Sequence, residues 1–144
     1  MNAHQFFHKN IEFSYCEHTA DVEIHVSADT LTDIFEGALL VMCDYMGVPD
    51  FTSSFTVEPF TSSLSHSLEE HFVDFLNEAL FISITKKAAI SRVHWKSFLH
   101  TSSAGSFELC RWLQFHKEIK AVTHHNLRLF HNGRKWECFF IVDV

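Results

Sequence analysis

Glycine and proline are scarce in this sequence, at four and two residues among 144. That scarcity excludes collagen-like repeats, long flexible linkers and extended disorder. Cysteine is sparse too: Cys16, Cys43, Cys110 and Cys138 lie far apart, with no Cys-x-x-Cys pair. Reduced, mostly buried thiols in a cytoplasmic protein fit this pattern better than a disulfide framework. No run approaches the roughly 20 apolar residues of a membrane span, and residues 1–10 are polar, without the apolar core of a signal peptide. Basic residues are outnumbered, 11 against 18 acids, for a net charge of −7. A direct, non-specific nucleic-acid binder should carry a basic face, so RNA is expected only indirectly, through a basic partner. A glycine-rich phosphate loop, a nucleophile elbow and a basic patch with interleaved aromatics are all missing.

What is abundant is core material. Hydrophobic residues make up 47% of the chain, and 16 residues are phenylalanine. A chain of this length suits one domain, which buries roughly 70% of its unfolded surface. The reading is therefore a single domain over residues 1–144, with 1–10 as a loose N-terminal extension.

Hydrophobic periodicity orders the elements. Residues 11–16 and 22–26 read as strands, the second alternating Val22, Ile24 and Val26 with Glu23 and His25. Asp29 offers an N-cap for a helix over about 29–46, with Leu31, Phe35 and Leu39 in its stripe and Gly47-Val48-Pro49 ending it. Residues 51–60 form a strand. Ser67 and Glu70 have capping-box spacing for a second helix over about 67–83, in which Leu68, Phe72, Phe75 and Leu76 face the core. From Ala88 the texture is β, with four strands around Val93 and Trp95, Phe107 to Leu113, Val122 to Leu129, and Trp136 to Val142. Asn132-Gly133 marks a hairpin between the last two. The order β-β-α-β-α-β-β-β-β specifies an α+β fold, two layers deep, with two helices packed on a largely antiparallel sheet.

Three places carry candidate chemistry. Asp21 opens an apolar strand, and Asp143 follows the apolar run Phe139-Phe140-Ile141-Val142 and precedes Val144. Termini are ordinarily loose, so an apolar strand there is unusual. Carboxylates and main-chain oxygens are hard donors suited to calcium or magnesium; the competing reading is two solvated acids at strand ends. Lys120, between Ile119 and Ala121-Val122, presents an ammonium at the sheet rim, or simply snorkels. The histidines do not make a metal cluster: His124 and His125 should point to opposite strand faces, and Cys16-x-His18 and His4-x-x-x-His8 have no second half at zinc-finger spacing.

Read together, these stretches resemble a known family. Glu17-His18-Thr19-Ala20-Asp21-Val22, followed by Asp29-Thr30-Leu31 and Ile34-Phe35, resembles the N-terminal signature of archeases. Phe75-Leu76-Asn77-Glu78-Ala79-Leu80-Phe81 resembles their second helix, Lys117 to His125 their lysine-bearing strand, and Ile141-Val142-Asp143-Val144 their terminal motif. The matches run in order from about Phe13 to Val144. Departures are Ala28, His71, His124 and a shortened stretch between Leu109 and Lys117. The resemblance implies two merged strand-helix-strand-strand modules. It also implies a non-enzymatic protein cofactor of the RtcB-type RNA ligase, promoting GTP- and metal-dependent guanylylation and repeated turnover in tRNA splicing and RNA repair. It places a divalent-metal site on Asp21, Asp143 and the main chain of Val144, where the oxygen donors suit calcium foremost, with magnesium or manganese as substitutes. It makes Lys120 the functional lysine; His18, within the N-terminal signature, is the second partner-facing candidate. Two other functions stay open: a phosphohydrolase using Asp21 and Asp143 around a divalent ion, and a general chaperone.

Overall fold

The structure is a computed structural model that describes residues 10–47, 55–111 and 116–144. Its elements follow the expected order: β1 (Glu12–Glu17), β2 (Asp21–Ala28), α1 (Leu31–Met46), β3 (Phe55–Thr61), α2 (Leu68–Lys86), β4 (Ala88–Phe98), β5 (Ser103–Arg111), β6 (Ala121–His131) and β7 (Trp136–Asp143). The expected strand over 51–54 and the core positions Trp112 and Leu113 lie outside the described residues. So does the loose extension, except for Asn10, which donates a hydrogen bond to the Asp29 carboxylate at 3.0 Å.

That bond corrects the expected cap. Asp29 turns to Asn10, and Thr30 caps α1 instead, its hydroxyl accepting from the Asp33 N–H at 3.1 Å. Ser67 caps α2 as its spacing predicts, accepting from Glu70 N–H at 3.1 Å. The return bond of the box shifts by one residue, because the Glu70 carboxylate takes the N–H of His66 rather than that of Ser67. The second helix also runs a turn longer than its stripe suggests, to Lys86, and closes on left-handed Lys87.

The fold is α+β with every strand pair antiparallel, but the strands divide into two sheets rather than one: β1-β2-β7-β6 and β3-β5-β4. Each helix packs on both sheets, so the expected two layers become three, with the helices in the middle. In α1, Ile34 to Leu39 are buried without a break, as a helix enclosed on several sides requires. Gly37 permits close approach to the first sheet, since a Cβ there would lie 2.7 Å from an Ile11 methyl. In α2, Phe72 meets Phe140 of the first sheet, whereas Phe75 stacks on Trp95 and touches Phe107 of the second. Phe35 bridges the helices with ring contacts to Phe72 and Phe75. Leu31 and Leu68, the first residues of their helices, are only half-buried against the core rather than fully buried as expected.

The β6–β7 hairpin forms at the expected dipeptide. Gly133 has positive φ, Asn132 N–H donates to Lys135 O, and the Asn132 amide oxygen accepts from the N–H groups of Arg134 and Lys135, an Asx-type turn.

Candidate acidic site at the end of the first sheet

Two strands from opposite ends of the chain meet at the site. In the β2–β7 ladder Asp21 lies directly opposite Asp143. Val144 N–H donates to Ala20 O at 3.2 Å, which makes Ala20/Val144 a hydrogen-bonded pair. Asp21/Asp143 is therefore the adjacent non-hydrogen-bonded pair, the kind in which side chains approach most closely. Val22 and Val142 beside them are fully buried, so by strand alternation the two carboxylates share the outer face. Like charges directly opposite each other are destabilising. Neither carboxylate has a hydrogen-bond or ion-pair partner among the described residues.

The surrounding main chain fixes this pair. His18 N–H donates to Asp21 O at 2.9 Å, closing the β1–β2 turn, and Lys120 N–H donates to Asp143 O at 2.7 Å. Ile119 is fully buried and Lys120 exposed, so the apolar residue anchors the segment while the lysine stands at the rim. His18 is exposed. The structure thus gathers Asp21, Asp143, Val144, Lys120 and the His18 turn at one end of the first sheet. The outward face continues from there as cross-strand rows, including His25, Phe139 and Arg128, in which His25 stacks on Phe139 and the Arg128 guanidinium lies 4.2 Å from the same ring.

The donor chemistry of the pair fits a hard divalent cation: two carboxylates with main-chain oxygens nearby, and water for the remaining positions. Among the described residues no group of three or more His, Cys, Asp or Glu side chains could hold a metal, so any ion here leans on backbone and solvent. His124 and His125 lie in an irregular part of β6. The β6–β7 register breaks between Thr123 and Arg128, Asn126 has φ 54°, and both histidines are exposed.

Two further features were not anticipated. Asn77 of α2 reaches across to the edge strand β6 and pairs with the main chain of Val122. An asparagine inside a helix, where its propensity is poor, was the available signal. His71 lies fully buried in α2, its Nδ1–H donating to the His100 carbonyl and its Nε2 accepting from the Ser103 hydroxyl, 2.8 Å away. The pair has the spacing of a hydrolase dyad, but Ser103 is 3% exposed and out of a substrate's reach.

The sequence profile of the Archease protein family (MTH1598/TM1083) matches residues 13–144. This chain belongs to the archease family. It is 30% identical to a protein archease-like of Drosophila melanogaster, over 96% of this chain and 94% of that one. It is 27% identical to a protein archease of Methanosarcina mazei, over 92% and 96%. Among solved structures, the crystal structure of a Thermotoga maritima archease, described there as a possible chaperone, superposes with a TM-score of 0.65 at 22% identity, covering 90% of this chain and 94% of that one. The solution structure of Methanobacterium thermoautotrophicum protein 1598 superposes at 0.68 and 20%, covering 92% and 98%. These structural likenesses establish the fold. Among the described residues no helix is long and apolar enough to cross a membrane. The four cysteines are free thiols, three of them buried, and burial pushes the Cys43 thiol up to about 11.

Proposed function

We propose that this chain is a non-enzymatic, cytoplasmic activator of an RtcB-type RNA ligase, promoting its metal- and GTP-dependent guanylylation and hence multiple turnover in tRNA splicing and RNA repair. The observation that carries the reading is the Asp21/Asp143 pair, two carboxylates held in register with no ion-pair partner among the described residues. Asp21, Asp143 and the Val144 main chain would hold a divalent ion, calcium first and magnesium or manganese in its place. Such an ion would neutralise the pair and supply a Lewis-acidic centre to a bound phosphate group. Main-chain bonds from His18 to Asp21 and from Lys120 to Asp143 hold the acids and Lys120 at one rim, and Lys120 offers an ammonium to phosphate or to an acidic group of the partner. The excess of acids would steer the chain to the basic cleft that an RNA ligase needs, so RNA is met only through the ligase.

The test is ligation at limiting ligase, with and without this protein. Wild type should convert a single turnover into many, and Asp143→Ala should not. Phosphate-ester hydrolysis by the purified chain alone would favour the phosphohydrolase reading. Suppression of aggregation of unrelated unfolded proteins, undiminished by Asp143→Ala, would favour a chaperone.

A further inference from the structure

Glu17 and Lys117 are each a few residues from the acidic site and bear no metal-ligating role in it. Glu17 ends β1 and is followed by the turn that delivers Asp21. Lys117 begins the segment that delivers Lys120. The Lys117 ammonium lies 2.7 Å from the Glu17 carboxylate and 4.8 Å above the centre of the Tyr45 ring. Tyr45 is buried, and its ring meets Tyr15 edge-on at 5.6 Å. The N–H groups of His116 and Lys117 both donate to Met46 O, at 2.9 and 3.1 Å, so the segment is also tied to the last turn of α1. From there it passes through buried Ile119 to the bond between Lys120 N–H and Asp143 O.

We propose that Glu17 and Lys117 are a clamp, a pair of positioning residues that locks the Asp21 turn and the Lys120 segment to each other over a tyrosine platform. The inference rests on the reading of the acidic rim as the working site, but its test does not. An exposed ion pair contributes little to global stability, so the clamp acts on local order. The two segments come from distant parts of the chain, and no β-ladder joins β1 to β6. The side-chain bridge is a direct tie between them, and holding reactive groups in fixed register is what positioning residues do.

The experiment compares Glu17→Gln, Lys117→Met, which keeps an apolar stem on Tyr45, and the exchange Glu17→Lys with Lys117→Glu. The first readout is amide hydrogen exchange on the full chain. Either single variant should accelerate exchange at both the His18 and Lys120 amides, by roughly two- to fivefold. This is the span an exposed pair converts to at tenfold per 1.4 kcal/mol. Global unfolding should be unchanged, and the exchanged pair should restore the slower rates. Acceleration confined to the mutated residue's own segment, or no change at either amide, would overturn the clamp. The second readout is calcium titration. Simple field effects would tighten binding in Lys117→Met and weaken it in Glu17→Gln; the clamp weakens both. If wild type fails to stimulate the ligase, the functional reading falls while the exchange result still decides the clamp.

Discussion

Asn77 and Val122 hold each other by two hydrogen bonds of opposite sense. The Asn77 amide donates to the Val122 carbonyl at 3.0 Å, and the Val122 N–H donates to the Asn77 amide oxygen at 2.9 Å. β6 is the edge of its sheet, and Val122 turns its peptide groups away from β7, so the amide substitutes for a missing neighbouring strand. This covers the edge at Val122, near the start of β6, and deprives another chain of a pairing site there.

Asn77→Asp should therefore be more damaging than its size suggests. A carboxylate cannot donate to the Val122 carbonyl and would face it with negative charge. A loss of about 1–3 kcal/mol is expected in urea unfolding, and exchange at the Val122 amide should accelerate. A loss within error would mean that water replaces the amide without cost.

The acid pair predicts an inverted response to metal. In a chelating buffer Asp21→Asn should be more stable than wild type by about 0.2–1 kcal/mol, because a direct cross-strand repulsion is removed. With calcium the order should reverse. Wild type should gain about 2.7 kcal/mol at a hundredfold excess over the dissociation constant, and the variant should gain little. Thermal melts with and without calcium measure both arms, and equal melting temperatures in chelator would show that the carboxylates do not feel each other.

His71 predicts loss of stability on mild acidification. Burial lowers its pKa below the ordinary value near 6.5, against the opposing effect of its bond to the His100 carbonyl. The unfolded state then takes up a proton at a higher pH than the folded state does. Stability is full above the unfolded value, falls as pH drops through about 6.5, and levels once the folded histidine protonates as well. Denaturant unfolding between pH 7.5 and 5 should show this slope, and His71→Leu should flatten it even though its absolute stability drops. An identical slope in both proteins would assign the dependence to other histidines.

Phe75 is the packing test. It is 1% exposed and has ring contacts with Phe35, Phe60, Trp95 and Phe107. Phe75→Ala should cost about 3–5 kcal/mol, seen as a lower denaturant midpoint at unchanged slope. A cost below about 1 kcal/mol would mean that the neighbouring rings close the hole.

Periodicity made the elements legible because helix and strand repeats differ, and Ser67, Gly47 and Asn132-Gly133 placed several of their ends. Asp29 misled because two capping residues stand side by side, and the choice between them depended on Asn10, nineteen positions away. The division into two sheets was invisible, since alternation reports which face is buried but not which strand lies beside which. For the same reason the register of Asp21 against Asp143 could be suspected from their motifs but not read. The partnership of Glu17 with Lys117 leaves no local trace at all.

The first sheet sets β7 between β2 and β6, so strands from the beginning and the end of the chain must find each other before the acidic rim exists. Contacts this distant in sequence form slowly, because a long loop must close before any pairing compensates for its lost entropy. A nascent or partly folded chain would therefore display neither the carboxylate pair nor the lysine beside it. The carboxylate pair is thus a property of the folded chain alone, absent from any chain in which the β2–β7 ladder has not closed.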